Sequence, residues 1–296
     1  MENLRGAAFM VLAMLCFAIE DALIKSLSTA MPAGQILSLI CLGGALAFMG
    51  WFVVRGIPLW QREYLNPKVL LRSFCDSVGS CLFITALSLI PLTTASAVIQ
   101  ATPLVVATGA ALFLGQTVGW RRWLAIIVGF IGVLIIIRPG MDGFIPATLL
   151  AVAGMLGLAT RDLITRSLTV RLSAPQLAIH TFAMIVPAGF LLMIFQGQRT
   201  VMPDLEQTGL LLGCIVIVII AYLALVAATR TGNAGMISSF RYSRMVFALI
   251  LGYAVFAETP DLATIIGAFI IIASGIFTLW REARMHNASL AVEPTV

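Results

Sequence analysis

The sequence predicts an all-α integral membrane protein of ten transmembrane helices arranged as two inverted five-helix repeats. Three observations carry that prediction. The 296 residues are 60% hydrophobic and only 10% charged, where soluble domains carry about 25% charged residues. Ten apolar runs of spanning length alternate with short polar connections. A charged stretch in the first run, "EDALIKSLSTAMPAGQ" (Glu20–Gln35), is written again as "RDLITRSLTVRLSAPQ" (Arg161–Gln176).

A crossing helix needs about 20 apolar residues. The first run, Gly6–Ile24, is too long for a signal peptide, and Leu15 is too bulky to precede a lipidated Cys16, so a retained helix is expected. The second, Ala33–Val54, ends at "RGIPLWQREYLNPK", which leads into the third, Val69–Ile90. "IPLT" opens the fourth, Thr93–Leu114, where Pro103 is expected to loosen the helix. "GQTVGWRR" and "RPGMDG" bracket the fifth, Trp123–Ile137. The sixth, Ile145–Ile164, contains the second copy of the charged motif. The seventh, Ala174–Phe195, is followed by "GQRTVMPDLEQ" and the eighth, Gly209–Ala228. The ninth, Ala234–Phe256, carries "SSFRYSRMVF", and "ETPD" separates it from the tenth, Leu262–Trp280. No connection is long enough for a second folded domain.

Internal similarity sets the organisation. A shift of 141 residues places Asp21 on Asp162, Lys25 on Arg166 and Gln35 on Gln176, and a shift of 142 places Gln116 on Glu258. The repeats are therefore residues 6–137 and 145–280, followed by a short tail at 281–296. Five spans is an odd number, so the second repeat enters the bilayer inverted. With a cytoplasmic start, twelve basic residues (Arg5, Arg55, Arg62, Lys68, Arg72, Arg121, Arg122, Arg166, Arg171, Arg230, Arg281, Arg284) face the cytoplasm and three (Lys25, Arg138, Arg199) face outward. The positive-inside rule favours that orientation, with both termini and the tail cytoplasmic and the chain in the cytoplasmic membrane. The pI near 9.2 is thus a topology signal, and no basic patch suggests nucleic acid.

Inverted repeats are the architecture of alternating-access carriers, with substrate bound near the midplane. A channel is the alternative reading, distinguished by flux that does not saturate. An intramembrane enzyme is remote, because neither H-E-x-x-H nor G-x-S-x-G occurs. Five cysteines lie inside apolar runs without C-x-x-C spacing, and His180 and His286 stand alone, so no metal or cofactor is expected. The expected partners are a small-molecule substrate and the lipid bilayer, and a homodimer is compatible with the pattern.

The segment "PLTTASAVIQATPLVVATGAALFLGQTVGWRRWLAIIVGFIGVLIIIRPG" (Pro91–Gly140), "FAETPDLATIIGAFIIIASG" and the double five-helix pattern resemble the drug/metabolite transporter superfamily, in particular its EamA-type branch. The similarity covers essentially the whole chain. It implies gradient-driven or exchange transport of a small polar organic metabolite: an amino acid, or a vitamin or cofactor such as riboflavin or S-adenosylmethionine. One departure stands out. The family often closes the fourth helix of each repeat with Glu; the second repeat keeps Glu258, whereas the first has Gln116.

Each ionisable group inside a span costs about 2.5–3.5 kcal/mol on insertion scales and so requires a reason. Asp21 with Lys25 and Asp162 with Arg166 have the acid-first, one-turn spacing of ion pairs within a helix. Arg72 and Asp76 share it, with Arg72 expected at the interface. Glu20 and Arg161 lack such a partner and are expected to meet a zwitterion or each other. Arg241 and Arg244, three apart in the ninth span, need anions or water opposite them. Gln100 and Tyr242 are related by the 142 shift and lie at the same depth. The candidate substrate-binding set is therefore Arg241, Arg244, Gln100, Tyr242, Glu20, Asp76 and Arg161; a structural ion-pair network is the alternative. Glu258 is expected at a solvated outer boundary. His180 is expected as a hydrogen-bonded polar spot.

Overall fold

The computed structural model describes residues 2–116, 118–141, 143–170, 172–231 and 234–290. Arg171 and residues 291–296 of the expected tail lie outside them. All regular structure among the described residues is helical. The elements are α1 (Glu2–Leu27), α2 (Ala33–Val54), α3 (Pro67–Leu89), α4 (Leu92–Ile99), α5 (Thr102–Phe113), α6 (Trp120–Ile137), α7 (Thr148–Arg166), α8 (Ala174–Phe195), α9 (Leu205–Arg230), α10 (Ala234–Ser239), α11 (Ser243–Phe256) and α12 (Leu262–Leu290). Short 3₁₀ turns cover Arg62–Leu65 and Phe240–Tyr242. The face where α1 starts and α12 ends is called the near face below, and its opposite the far face.

Local chemistry explains where the helices begin. The Asn66 side chain accepts the Lys68 N–H at 2.9 Å in front of Pro67, whose missing donor costs nothing in a first turn. Asp204 and Gln207 cap α9 reciprocally, and Gln176 accepts the Ser173 N–H at 2.7 Å at the start of α8.

Nine helical stretches among the described residues are long and apolar enough to cross a membrane, α4 and α5 counting as one. The remaining crossing, 234–256, is interrupted: α10, the 3₁₀ turn and α11 share it. The fourth crossing is interrupted at the related depth, between Ile99 and Thr102. There Pro103 has no N–H for the Ile99 carbonyl, and the Thr102 hydroxyl donates to it instead at 2.6 Å. The shift of 142 that places Gln100 on Tyr242 therefore places one break on the other.

Packing follows the repeat. The dominant helix pairs are α3 with α7, α1 with α9, α2 with α8 and α6 with α12. Exchanging the repeats turns the first pair into the second and the other two into themselves, so every main contact joins one repeat to the other. Hydrocarbon supplies little net drive for helix association, and close backbone approach replaces it. A Cβ on Gly79 of α3 would lie 2.9 Å from the Leu158 nitrogen of α7, and one on Gly157 would lie 2.8 Å from the Gly79 Cα. A Cβ on Gly132 of α6 would lie 2.8 Å from the Gly267 carbonyl of α12. Large apolar side chains such as Leu46, Ile127 and Phe269 point outward, where lipid rather than protein meets them.

These glycines yield a stability prediction. Gly157→Val is expected to cost about 1–3 kcal/mol, the usual cost of overpacking, because a backbone stands where its side chain would go. Gly209→Ala, with nothing within 4 Å of its new Cβ, is expected to be neutral or better. Thermal unfolding of both purified variants in one detergent checks the contrast.

Candidate functional site

Among the described residues, most ionisable side chains inside the bundle gather in three clusters, each built from both repeats. The near-face cluster rests on α3, α7 and α8. Asp76 accepts from Arg161 of α7 at 3.0 Å and lies 3.7 Å from Arg72, one turn earlier on its own helix. Arg161 also reaches its neighbour Asp162 at 2.9 Å. Arg72 donates to the Thr165 hydroxyl at 3.0 Å and to the Thr181 hydroxyl at 2.5 Å. Ser73 meets His180 Nδ1 at 2.8 Å, and the His180 ring stacks on Tyr64 with centroids 5.4 Å apart. Both arginines here have acceptors, as burial demands, whereas the buried Tyr64 hydroxyl has none among the described residues.

The central cluster joins α1 to the interrupted ninth crossing. The 3₁₀ turn Phe240–Tyr242 directs Arg244, in the first turn of α11, at α1. There both Nη2, at 2.5 Å, and Nε, at 3.1 Å, donate to Asp21 Oδ2. The guanidinium also stands over the Phe17 ring, 5.5 Å from its centroid. Asp21 is 4% exposed, so this pair neutralises two charges almost out of reach of water. Beside it, half-buried Glu20 makes no hydrogen bond or ion pair among the described residues. Arg241 is half-buried too and has no ion pair there, although its carbonyl accepts from Gln100 Nε2 at 3.4 Å. The two helix breaks thus touch each other at the centre of the bundle.

The far-face cluster lies one turn further along α1. Lys25 donates to the Ile90 carbonyl at 2.6 Å and the Leu87 carbonyl at 3.3 Å, and stands 3.9 Å from Glu258. Glu258 accepts the Leu92 N–H at 2.7 Å and both the N–H and hydroxyl of Thr93 at 3.0 Å. A carboxylate at the start of α4 is where a helix favours negative charge. A cavity of about 210 Å³ opens next to it, lined by Pro91, Thr93, Arg138, Glu258, Asp261 and Thr264 among others. This cavity lies at the far face rather than at the Asp21–Arg244 pair.

Several expectations are corrected by this geometry. Asp21 and Lys25 do not pair along α1: each turns to the other repeat, Asp21 to Arg244 and Lys25 to Glu258, because those partners sit at matching depth without stretching a side chain along the helix. Asp162 takes Arg161, its neighbour in sequence. Arg161 is held by Asp76 and Asp162, so it does not meet Glu20. Tyr242 does not line a polar space. It is buried against Gly275 of α12, where an added Cβ would fall 1.7 Å from its hydroxyl oxygen. Arg72 is partly buried, its side chain 12% exposed, and Glu258 is likewise only 12% exposed rather than solvated. His180 is the hydrogen-bonded polar group expected.

Residues the sequence reading passed over are Ser73, Thr165, Thr181 and Thr93, which complete these networks. Their one signal is that hydroxyls recur beside buried charges, a signal shared with ordinary packing serines and threonines.

Arg138, after α6, and Asp261, before α12, form a further ion pair outside the spans. Partial burial alone would raise the Asp261 carboxyl, but hydrogen bonds from the Thr264 hydroxyl and N–H, with Arg138 beside them, hold it below its ordinary 3.8. A lowered carboxylate pKa contributes stability that is present above the ordinary value and lost as pH falls through the lowered one. Asp261→Asn is therefore expected to lower thermal stability modestly at neutral pH. The gap between variant and parent should close on acidification below that range, as melting curves across pH will show.

Comparison with known proteins places this geometry. The EamA-like transporter family matches residues 4–138 and, a second time, 145–280. The riboflavin transporter of Vibrio cholerae serotype O1 is 28% identical over 289 residues, covering 96% of each chain. The S-adenosylmethionine uptake transporter of Rickettsia bellii is 25% identical over 296 residues, covering 96% of this chain and 97% of its own. A solved crystal structure superposes with a TM-score of 0.64 at 18% identity, over 96% of this chain and 98% of that one, and so shares the fold.

Proposed function

Because the chain belongs to the EamA-like transporter family, a branch of the drug/metabolite transporters, we propose that it is a secondary transporter working by alternating access. Its cargo is a small polar organic metabolite, of the class of an amino acid, vitamin or cofactor, moved across the cytoplasmic membrane with both termini on the cytoplasmic side. The observation that carries this reading is the central cluster. Two interrupted helices, one from each repeat, meet there; Glu20, without an ion pair among the described residues, adjoins the satisfied pair Asp21–Arg244, and Arg241, also without one there, lies three residues before Arg244. Discontinuous helices at the repeat interface expose backbone polar groups where a carrier binds its substrate. Open charges of both signs suit a zwitterionic or strongly polar molecule. The names of the riboflavin and S-adenosylmethionine relatives agree with that class.

The proposal assigns Glu20, Asp21, Gln100, Arg241 and Arg244 to the substrate zone, and Asp76 with Arg161 to the polar floor on the near face. Flux into liposomes is the test, using riboflavin, S-adenosylmethionine and the amino acids as probes. Saturation with counterflow supports a carrier; flux rising linearly with concentration would make the protein a channel.

Arg244→Gln is expected to cut saturable flux at least about tenfold, the scale of one lost charge-assisted contact. Arg244→Lys should rescue poorly, since one ammonium cannot replace Nε and Nη2 together. If the pair is only structural, Asp21→Asn with Arg244→Gln will restore both folding and flux. If it serves transport, the double variant will fold and remain slow.

Orientation has its own check. A reporter active only outside the cytoplasm, fused after Val296, is expected to stay silent, and one active only in the cytoplasm to function there.

A further inference from the structure

The far-face cluster has a counterpart in the first repeat that lacks its charge. After α11 the chain turns through Ala257 in a left-handed conformation (φ 51°), and the Glu258 N–H returns to the Gly252 carbonyl at 2.9 Å. After α5 it turns in the same way through Gly115 (φ 65°), and the Gln116 N–H returns to the Ala110 carbonyl at 3.2 Å. The shift of 142 relates Ala110 to Gly252, Gly115 to Ala257 and Gln116 to Glu258. The two turns are therefore one device, built twice, at opposite faces.

Among the described residues, only one of the two turns engages its side chain. Glu258 and Lys25 bind together the ends of α1, α3 and α11, which arrive at the far face, and the start of α4, which leaves it, with side chains 12% and 17% exposed. The Phe256 ring closes over Lys25 at 5.7 Å. Gln116 is exposed, and its side chain makes no hydrogen bond among the described residues. The chemistry differs as well. A carboxylate accepts with both oxygens, answers an ammonium and suits a helix start, whereas an amide offers one acceptor and no charge.

We propose that Lys25 and Glu258 are the far-face clasp of the transport cycle, that the Gln116 turn is its uncharged equivalent at the near face, and that this inequality holds the resting protein closed at the far face. The inference rests on the alternating-access reading. In the opposite state the Gln116 turn would meet the start of the second repeat's broken crossing, with Arg166 in the place of Lys25 under the 141 shift. Removing the far carboxylate and adding a near one should then act in the same direction although they lie at opposite ends of the molecule.

Hydrogen–deuterium exchange of the full-length protein in lipid nanodiscs reads both faces at once. Glu258→Gln is expected to speed exchange at residues 91–95 by about tenfold or more, the effect of losing charge-assisted bonds, and to slow it at 119–123 and 163–167. Part of the far-face change is local, so the near-face protection is the informative half. Gln116→Glu alters only an exposed near-face position and is expected to fold normally. It should still speed exchange at the distant residues 91–95. A Gln116→Glu protein with unchanged far-face exchange, or a Glu258→Gln protein with unchanged near-face exchange, overturns the clasp. Counterflow of riboflavin, S-adenosylmethionine and the amino acids by the parent protein separates the two ideas. Counterflow without reciprocal exchange defeats the clasp and leaves the transporter standing, whereas reciprocal exchange with strictly linear flux defeats the transporter reading.

Discussion

A charge in hydrocarbon must find an opposite charge, and in this protein that search is answered across the repeats. Asp21 meets Arg244, Asp76 meets Arg161, and Lys25 meets Glu258. In each of these pairs one member comes from the first repeat and the other from the second. Burying the two ions costs nearly as much as their attraction returns, so such pairs are weak cement. Breaking one is another matter, because an uncompensated ion remains behind. The pairs therefore dictate which faces of the two repeats can meet more than they add to stability.

Small residues make that meeting close. Gly79, Gly154 and Gly157 bring α3 and α7 to backbone contact, and Gly132 and Gly267 do the same for α6 and α12. Contact at that range aligns depth as well as direction, and depth decides which carboxylate a given arginine can reach. Asp76 thereby falls within 3.0 Å of Arg161, and the Arg72–Thr165 contact follows from the same register. Charge and close packing act on the same interface, one choosing the partner helix and the other its height.

The architecture was largely legible in the sequence. Hydropathy marks the ten crossings, Pro103 marks the break in the fourth, and the twice-written motif marks the repeat. Charge partners were legible only in part. Spacing along one helix correctly pairs Arg72 with Asp76, but the same rule misassigns Asp21 to Lys25, because it is blind to acceptors on helices distant in sequence. Glu258 shows the second limit. Its place just beyond an apolar run reads as solvated, while the left-handed turn at Ala257 folds it back onto α4. Tyr242 shows the third. Its repeat partner Gln100 does lie at the point where the breaks meet, yet Gly275 leaves a hollow on α12 that the larger ring fills. Repeat symmetry conveys position in the fold and leaves open what a side chain touches.

The near-balance of cost and gain in buried ion pairs also suits them to movement. A pair worth many kcal/mol net would lock the repeats in one arrangement, and no metabolite could supply enough differential binding to shift them. At the centre, Arg244 rests both donors on one oxygen of Asp21, leaving the other carboxylate oxygen without a hydrogen bond among the described residues. Glu20 beside it, and Arg241 three residues before Arg244, have no ion pair among the described residues. A polar cargo entering here can exchange contacts with groups already desolvated, so the cost of stripping their water has been met during folding rather than at binding. What the cargo must then contribute is only the difference between two arrangements of the same charges, which lies within the reach of a small molecule.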